Sequence, residues 1–451
     1  MWASSSHLRR EPLRLEKMAS QKIQFYATFL VAILIQQTLG NNFMSSVNVI
    51  CSSILFYFLF YVNLFPFPCI GCSIDLENND PDHPPFVVNT ENEILQPVLE
   101  GSARVLNVPN GEEVTLACPG KGNTLLVTGG QVNAAACVSG TSFELEDLAK
   151  PQKFSDLGCA KDVQDTVKET GTCYDDSTLV EIGWDIGDSF VNQLTICHDK
   201  ITANTLYSID RIEGASIAAT DTSHTRPGFK KGPFFKGIDV DKAYSQSGQK
   251  EMLDYLLGED QANRFFDIHK QWYFARGHFA PDGDFIDGGS QDATYYYINT
   301  APQWQAFNNG NWKYLETSVR NKASERSLTY TTYSGGFEVL ELPDKDGDMQ
   351  PIYLANDSEG YAIIPAPKYY WKVVHDPIAK AATAYVGINN PHLTEVTADD
   401  IFCNDVCDKL SEWIDDRRFE IGSGYMFCCT LSDLKKVVPF APNLGRVKLL
   451  V

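Results

Sequence analysis

Trp272-Tyr273-Phe274-Ala275-Arg276-Gly277-His278-Phe279-Ala280-Pro281 and, further on, Phe307-Asn308-Asn309-Gly310-Asn311-Trp312-Lys313-Tyr314-Leu315-Glu316-Thr317-Ser318-Val319-Arg320 are the pieces on which this 451-residue chain turns. Aromatic residues lead into Ala275-Arg276-Gly277, and Pro281 and Gly283 break the chain, so the first piece predicts a strand running into a turn. His278 falls where the strand gives out, a place where a side chain meets a cleft. The second piece predicts a helix. Asn308, Trp312, Glu316 and Arg320 recur every four residues along one face, with Leu315 and Val319 packing beside it. An amide, a carboxylate and a guanidinium on the core-facing side of a helix are costly without polar partners. A hydrated metal ion and a phosphate would meet them.

This constellation resembles the DNA/RNA non-specific endonuclease family, the secreted ββα-metal nucleases. Their hallmark is Asp-Arg-Gly-His, followed downstream by an Asn on a helix with a Glu and an Arg further along it. Arg276-Gly277-His278 matches the hallmark, Asn308, Glu316 and Arg320 fall at the family's offsets, and Asn299 in Tyr297-Ile298-Asn299-Thr300-Ala301-Pro302-Gln303 matches another site asparagine. The family's usual Asp is Ala275 here. Ala275-Arg276-Gly277-His278, Pro302-Gln303-Trp304-Gln305 and Pro367-Lys368-Tyr369-Tyr370-Trp371-Lys372-Val373-Val374 look most like the arthropod secreted branch that degrades double-stranded RNA. The likeness covers residues 200–451 well and 110–200 more loosely.

The resemblance implies an α+β fold: a ββα-metal nuclease domain with mixed and antiparallel sheets and flanking helices, preceded by a small β-rich domain. It implies hydrolysis of phosphodiester bonds in DNA and RNA, double-stranded RNA included, with one Mg2+ or alternatively Mn2+. His278 is the general base, since imidazole titrates near neutrality. A lone His is more often structural, and the chain has eight; His278 is singled out by Arg276-Gly277 before it and Asn308 after it. Asn308 is the metal ligand, a neutral group that leaves the ion's charge to act on phosphate. Glu316 accepts hydrogen bonds from the ion's hydration shell, Arg276 and Arg320 hold phosphate oxygens, and Asn299 orients His278 or a water. The bland reading of Glu316 and Arg320 is a surface i,i+4 pair worth ~0.3–0.5 kcal/mol. Ala275 leaves an alternative: a nucleic-acid-binding protein on the same scaffold with weak or lost catalysis.

Outward from this core, Arg226-Pro227-Gly228-Phe229-Lys230-Lys231-Gly232-Pro233-Phe234-Phe235-Lys236 interleaves cations and rings. It predicts either a nucleic-acid-facing loop, with Arg226 a further substrate-binding arginine, or a solvated loop with core phenylalanines. The net charge of −21 argues against binding nucleic acid through bulk positive charge. It fits an enzyme that binds weakly and releases its products.

Twelve cysteines point to disulfides in an oxidising compartment. Cys51, Cys69 and Cys72 lie in or near an apolar leader, and the other nine fall into one group of five and one of four. One of the nine is free unless Cys72 is retained. Cys403, Cys407, Cys428 and Cys429 lack zinc-knuckle spacing. Residues 1–73, with apolar runs at 25–35 and 49–65, read as a targeting segment that is cleaved, giving a secreted protein. Retention of the 49–65 run would instead anchor the chain in a membrane. Residues 74–95 read as a linker, 96–200 as a small disulfide-bonded β-rich domain, and 201–451 as the nuclease domain. Within them, strands are expected at 102–108, 113–118, 123–127, 178–182, 191–197, 328–333 and 336–342. Helices are expected across 247–271, broken at 258–261, and at 398–413. Asn356-Asp357-Ser358 is a glycosylation sequon, usable in a secreted chain. No stable protein partner is implied.

Overall fold

The computed structural model describes residues 71–451; the expectations for the leader, including both apolar runs, lie outside the described residues. The first strands are β1 (Cys72–Asp75), β2 (Phe86–Val88), β3 (Val98–Glu100), β4 (Ala103–Val108), β5 (Glu113–Ala117), β6 (Val132–Ser139), β7 (Ser142–Leu145) and β8 (Gln152–Lys153). They form a three-stranded sheet ordered β1-β4-β3 and a five-stranded sheet ordered β2-β5-β6-β7-β8. β1 and β7 alternate buried and outward residues, and in β5 Val114 and Leu116 are buried while Glu113 is exposed. Ile74, Leu106, Leu116, Phe143 and Phe154 make a core of their own. Two disulfides, Cys72–Cys137 and Cys118–Cys159, tie it together. Cys72 is therefore part of the folded chain. The expected strand at 123–127 is absent; this segment makes only a bridge from Leu125 to Cys159.

Next come β9 (Thr166–Thr172), β10 (Thr178–Ile186), β11 (Ser189–Asp199) and β12 (Asn204–Ile212). Helices α1 (Gln246–Leu257) and α2 (Glu259–Phe265) follow, parted at Gly258 with φ of 83°. The hairpin β13 (Phe274–His278) and β14 (Thr300–Trp304) leads to α3 (Lys313–Arg326). The chain ends with β15 (Tyr330–Val339), β16 (Glu341–Pro343), β17 (Met349–Pro351), β18 (Tyr353–Asn356), β19 (Ala362–Pro365), β20 (Pro367–Asp376), β21 (Ala381–Ile388), β22 (Met426–Cys429), α4 (Leu431–Val437) and β23 (Lys448–Leu449).

A nine-stranded sheet ordered β22-β21-β20-β15-β12-β11-β10-β9, with β23 beside β21, is the scaffold. The expected boundary at 200/201 falls inside the β11–β12 hairpin, where Thr195 pairs with Ile209. β20 and β21 are buried along almost their whole length because both faces of this sheet are covered. Tyr370 and Val374 of β20 join one core with Phe279, Trp304 and Trp312; Tyr369, Trp371 and Val373 join the other with Val386 and Phe427. The β13–β14 hairpin and α3 lie on the first face.

Two expectations are corrected. Residues 328–333 and 336–342 are not two strands around a turn, because β15 runs through Ser334-Gly335-Gly336. Gly335 lies where a Cβ would sit 2.7 Å from the Trp371 ring, so it keeps the strand flat against that ring. Residues 398–413 are not a helix but contain short 3-10 turns at Ala398–Asp400 and Cys407–Lys409. Cys403 bonds Cys429 and Cys407 bonds Cys428. Adjacent residues of a strand point to opposite faces, whereas helical residues four apart share one, so a regular helix there would not serve both bonds. The fifth disulfide is Cys173–Cys197. Among the described residues no helix is long and apolar enough to cross a membrane.

Candidate active site

In the β13–β14 hairpin, Ala275 pairs with Gln303, Gly277 with Ala301 and His278 with Thr300. A Cβ on Gly277 would meet Gln303 at 2.5 Å and the Tyr370 hydroxyl at 2.8 Å, so the hairpin docks on the sheet only with glycine there. His278 ends β13 with its ring packed between Phe229 and Tyr295, each centroid 5.1 Å away. Its Nε2 is shielded and has no hydrogen-bond partner among the described residues. Burial pushes this imidazole down to about 4; Asp282 opposes the shift and Arg226 adds to it.

Asn299 is fully buried. Its Nδ2 donates to the carbonyls of Ala280 at 2.8 Å and Thr294 at 3.0 Å, and its Oδ1 accepts from the Ala280 amide at 3.2 Å. Both amide hydrogens are spent on backbone. Asn299 thus braces the chain just after His278 and has no donor left for the imidazole or a water.

The expected unbroken helix over 308–320 is a π turn, Asn308–Trp312, feeding α3. Asn308 and Glu316 are therefore related across a wide turn rather than by α periodicity, an irregularity frequent at functional sites. Gly310 leaves the helical backbone (φ −91°, ψ −123°), and a Cβ there would sit 2.6 Å from the Ser423 carbonyl oxygen, so the turn closes on Ser423 only with glycine. Asn311 Nδ2 donates to the Arg417 carbonyl at 2.8 Å and the Gly424 carbonyl at 2.7 Å. The disulfide-bonded C-terminal segment thus clasps the π turn. Asn309 donates to Gln271 at 3.4 Å. By contrast, half-buried Asn308 has no side-chain hydrogen bond among the described residues.

Glu316 is also half-buried and has no hydrogen-bond or ion-pair partner among the described residues. Burial raises its carboxyl to about 7 against the pull of Arg320 and Lys372. Arg320 donates instead to Asp284 Oδ1 at 2.7 Å, so Glu316 and Arg320 are not the surface pair. Asp284 and Lys372 are both buried, with Lys372 Nζ 4.0 Å from Asp284 Oδ2. Lys372 also approaches the Phe279 carbonyl at 3.4 Å and Thr332 Oγ1 at 3.5 Å. Thr332 donates to Asp210, whose carboxyl burial raises to about 7 while Lys372 lowers it. A buried ionic network thus joins α3, the turn after His278 and three central strands.

Arg276 donates from Nε to the Tyr297 hydroxyl at 3.1 Å and lies 5.4–5.5 Å from the Phe229, Tyr297 and Tyr244 ring centres. It has no carboxylate within ion-pair distance among the described residues. Arg226 reaches Asp282 Oδ2 at 2.9 Å, and the Tyr295 hydroxyl donates to the same oxygen at 2.7 Å. Burial raises the Asp282 carboxyl, but the Tyr295 hydroxyl, His278 and Arg226 outweigh it and hold it below the usual carboxylate range. In the 226–236 loop, Lys230 binds Asp165 and Lys231 lies 2.7 Å from Asp241. Phe234 and Phe235 are buried. The loop's core-phenylalanine reading fits best, except that Phe229 stacks on His278.

Asp282, Asp284, Tyr295 and Lys372 are the site residues that the sequence reading missed. The signal for the first two was in plain view: Pro281-Asp282-Gly283-Asp284 follows the motif directly, and was read only as chain breakers.

A family model described as DNA/RNA non-specific endonuclease matches residues 175–434. A salivary endonuclease of Lutzomyia longipalpis is 28% identical over 372 residues, spanning 81% of this chain and 83% of its own length. The salivary protein Tsal2A of Glossina morsitans morsitans is 26% identical over 384 residues, spanning 84% of this chain and 93% of its own. Among solved structures, the EndoG/EndoGI complex is similar at 17% identity over 55% of this chain and 81% of that chain, with a TM-score of 0.32.

Proposed function

The chain belongs to the DNA/RNA non-specific endonuclease family, and on that premise we propose that it is a secreted, Mg2+-dependent endonuclease that cuts DNA and RNA, double-stranded RNA included. That it is a nuclease with an α+β, ββα-metal fold follows from the family. The observation that carries the finer reading is a trio of polar groups without hydrogen-bond partners among the described residues: His278 Nε2, the Asn308 amide and the Glu316 carboxylate. All three lie on the strand–turn–helix unit.

An amide oxygen and a carboxylate fit a hard divalent cation, which takes oxygen ligands and needs few from protein. Asn308 would hold it directly and Glu316 would hold its hydration shell. When bound, the ion supplies positive charge to a phosphate oxygen and to the leaving oxygen. His278 is neutral at neutral pH because burial disfavours its charged form, so its unpartnered Nε2 can take the proton of the attacking water. Asp282 lies where its charge steadies the imidazolium formed by that transfer. Tyr295 holds Asp282 and packs on the ring at once. Arg276, free of carboxylates, binds a phosphate oxygen. Arg320, fixed by Asp284, binds another, and exposed Arg226 guides the polymer. The second reading, a crippled binding protein, rests on Ala275; Asp282 weakens it by supplying a carboxylate beside the histidine.

The five disulfides among the described residues and the salivary relatives support secretion. Most of the β1–β8 core forms its own apolar cluster, which supports a small β-rich region ahead of the nuclease domain, while Phe86, Val88 and Ala117 join the main core. The test is digestion of plasmid DNA and double-stranded RNA by purified protein, with and without EDTA. Cleavage of both that EDTA abolishes is expected. Binding without cleavage would leave the second reading standing.

A further inference from the structure

Asn356-Asp357-Ser358 is the only Asn-x-Ser/Thr sequence in the chain. It lies at the tip of the β18–β19 hairpin, where Asn356 pairs with Ala362. Asp357 builds the turn by itself: its Oδ1 accepts the amides of Glu359 at 2.9 Å and Tyr361 at 2.8 Å, and Gly360 supplies a φ of 89°. That leaves the flanking side chains free. Asn356 and Ser358 are both exposed, and neither side chain has a hydrogen bond among the described residues. Asn356 also lines a recess of about 370 Å³ that contains Tyr255. Tyr255 is 76% exposed and Tyr361, beside Ala362 in the same hairpin, is 67% exposed. A sugar attached at Asn356 would find apolar ring faces to lie against.

We propose that Asn356 carries an N-linked glycan, a modification that rests on the secretion reading above. The donor is an oligosaccharide linked through its anomeric carbon to a lipid pyrophosphate. The anomeric carbon bonds to Asn356 Nδ2, its bond to the pyrophosphate oxygen breaks, Nδ2 gives up one proton, and the lipid pyrophosphate leaves. No oxidant or reductant is needed. β19 packs on β14 through its buried side, but exposed Asn356 has no hydrogen bond or ion pair with a site residue among the described residues, so the glycan and the nuclease chemistry are separable.

The test is expression of the full chain in insect cells, with medium and cell fractions treated with peptide-N-glycosidase and mapped by mass spectrometry. The expected result is secreted protein that loses one glycan, with Asn356 recovered as Asp. Asn356→Gln and Ser358→Ala should lose the glycan, Ser358→Thr should keep it, and Asn356→Gln should cleave DNA within about twofold of the parent, as for a surface change. Protein in the medium with Asn356 unmodified would overturn the glycan alone. Protein kept in the cytosol with free thiols would overturn both the glycan and the secretion reading.

Discussion

The β1–β8 unit and the layer formed by the β13–β14 hairpin and α3 are held in opposite ways. The first has a conventional apolar core and two disulfides, which close loops of 65 and 41 residues. The second has no disulfide within it. It is held by aromatic packing and by the network from Asp210 through Lys372 and Asp284 to Arg320. A covalent staple stabilises without asking anything of the native electrostatics. A buried ionic network sets the positions of charges, and breaking it strands a partner. His278 Nε2 and the Asn308 and Glu316 side chains, which lack hydrogen-bond partners among the described residues, lie in the second region.

The largest expected effect is in that second region. His278→Ala should lower the cleavage rate by about 10²–10⁴-fold while the fold is retained; a folded variant that still cuts at the parental rate would break the contrast. Lys372→Met leaves Asp284 and Asp210 buried without their shared cation. It should cost ~3–5 kcal/mol in urea denaturation and weaken cleavage through Arg320. If both are untouched, the network is not what holds the site layer. Replacing Cys118 and Cys159 together by Ala should cost about 4 kcal/mol by the loop-closure relation. That loss should show as an earlier transition of the β1–β8 unit, with site chemistry retained under native conditions.

Asp282→Asn should slow kcat by about 10–100-fold, the range for partners that orient a functional histidine, with KM nearly unchanged. A change confined to KM would move Asp282 from the histidine to substrate binding. The smallest effect is in pH dependence. Burial raises Asp210 to about 7 in the folded chain. Between its ordinary carboxylate value and about 7 the folded state keeps a proton that the unfolded state releases, so this group makes stability fall as pH rises through that window. Asp210→Asn should flatten that slope in denaturation measured from acid to neutral pH. An unchanged slope would point to another group.

Much of the site was legible because its residues are close in sequence. Arg276-Gly277-His278 and the 308–320 segment give a strand, a turn and a helix from local pattern alone, and Gly258 marks the break between α1 and α2. The π turn was not legible, because Gly310 and Asn311 deform the helix in answer to Ser423, Arg417 and Gly424, about a hundred residues away. Asn299 was found by its motif, but its buried position commits its amide to backbone.

The amino-acid sequence by itself determined which chemical groups sit on the strand–turn–helix unit, and that cysteines would staple the chain. Tertiary structure alone decided that Arg320 pairs with Asp284 rather than Glu316, and that Lys372 lies beneath Asp284 from a strand far along the chain. Side-chain pairing and burial are set by contacts across the sheet, such as Asp210 with Thr332 at a separation of 122 residues. Local periodicity carries no information about partners at that distance.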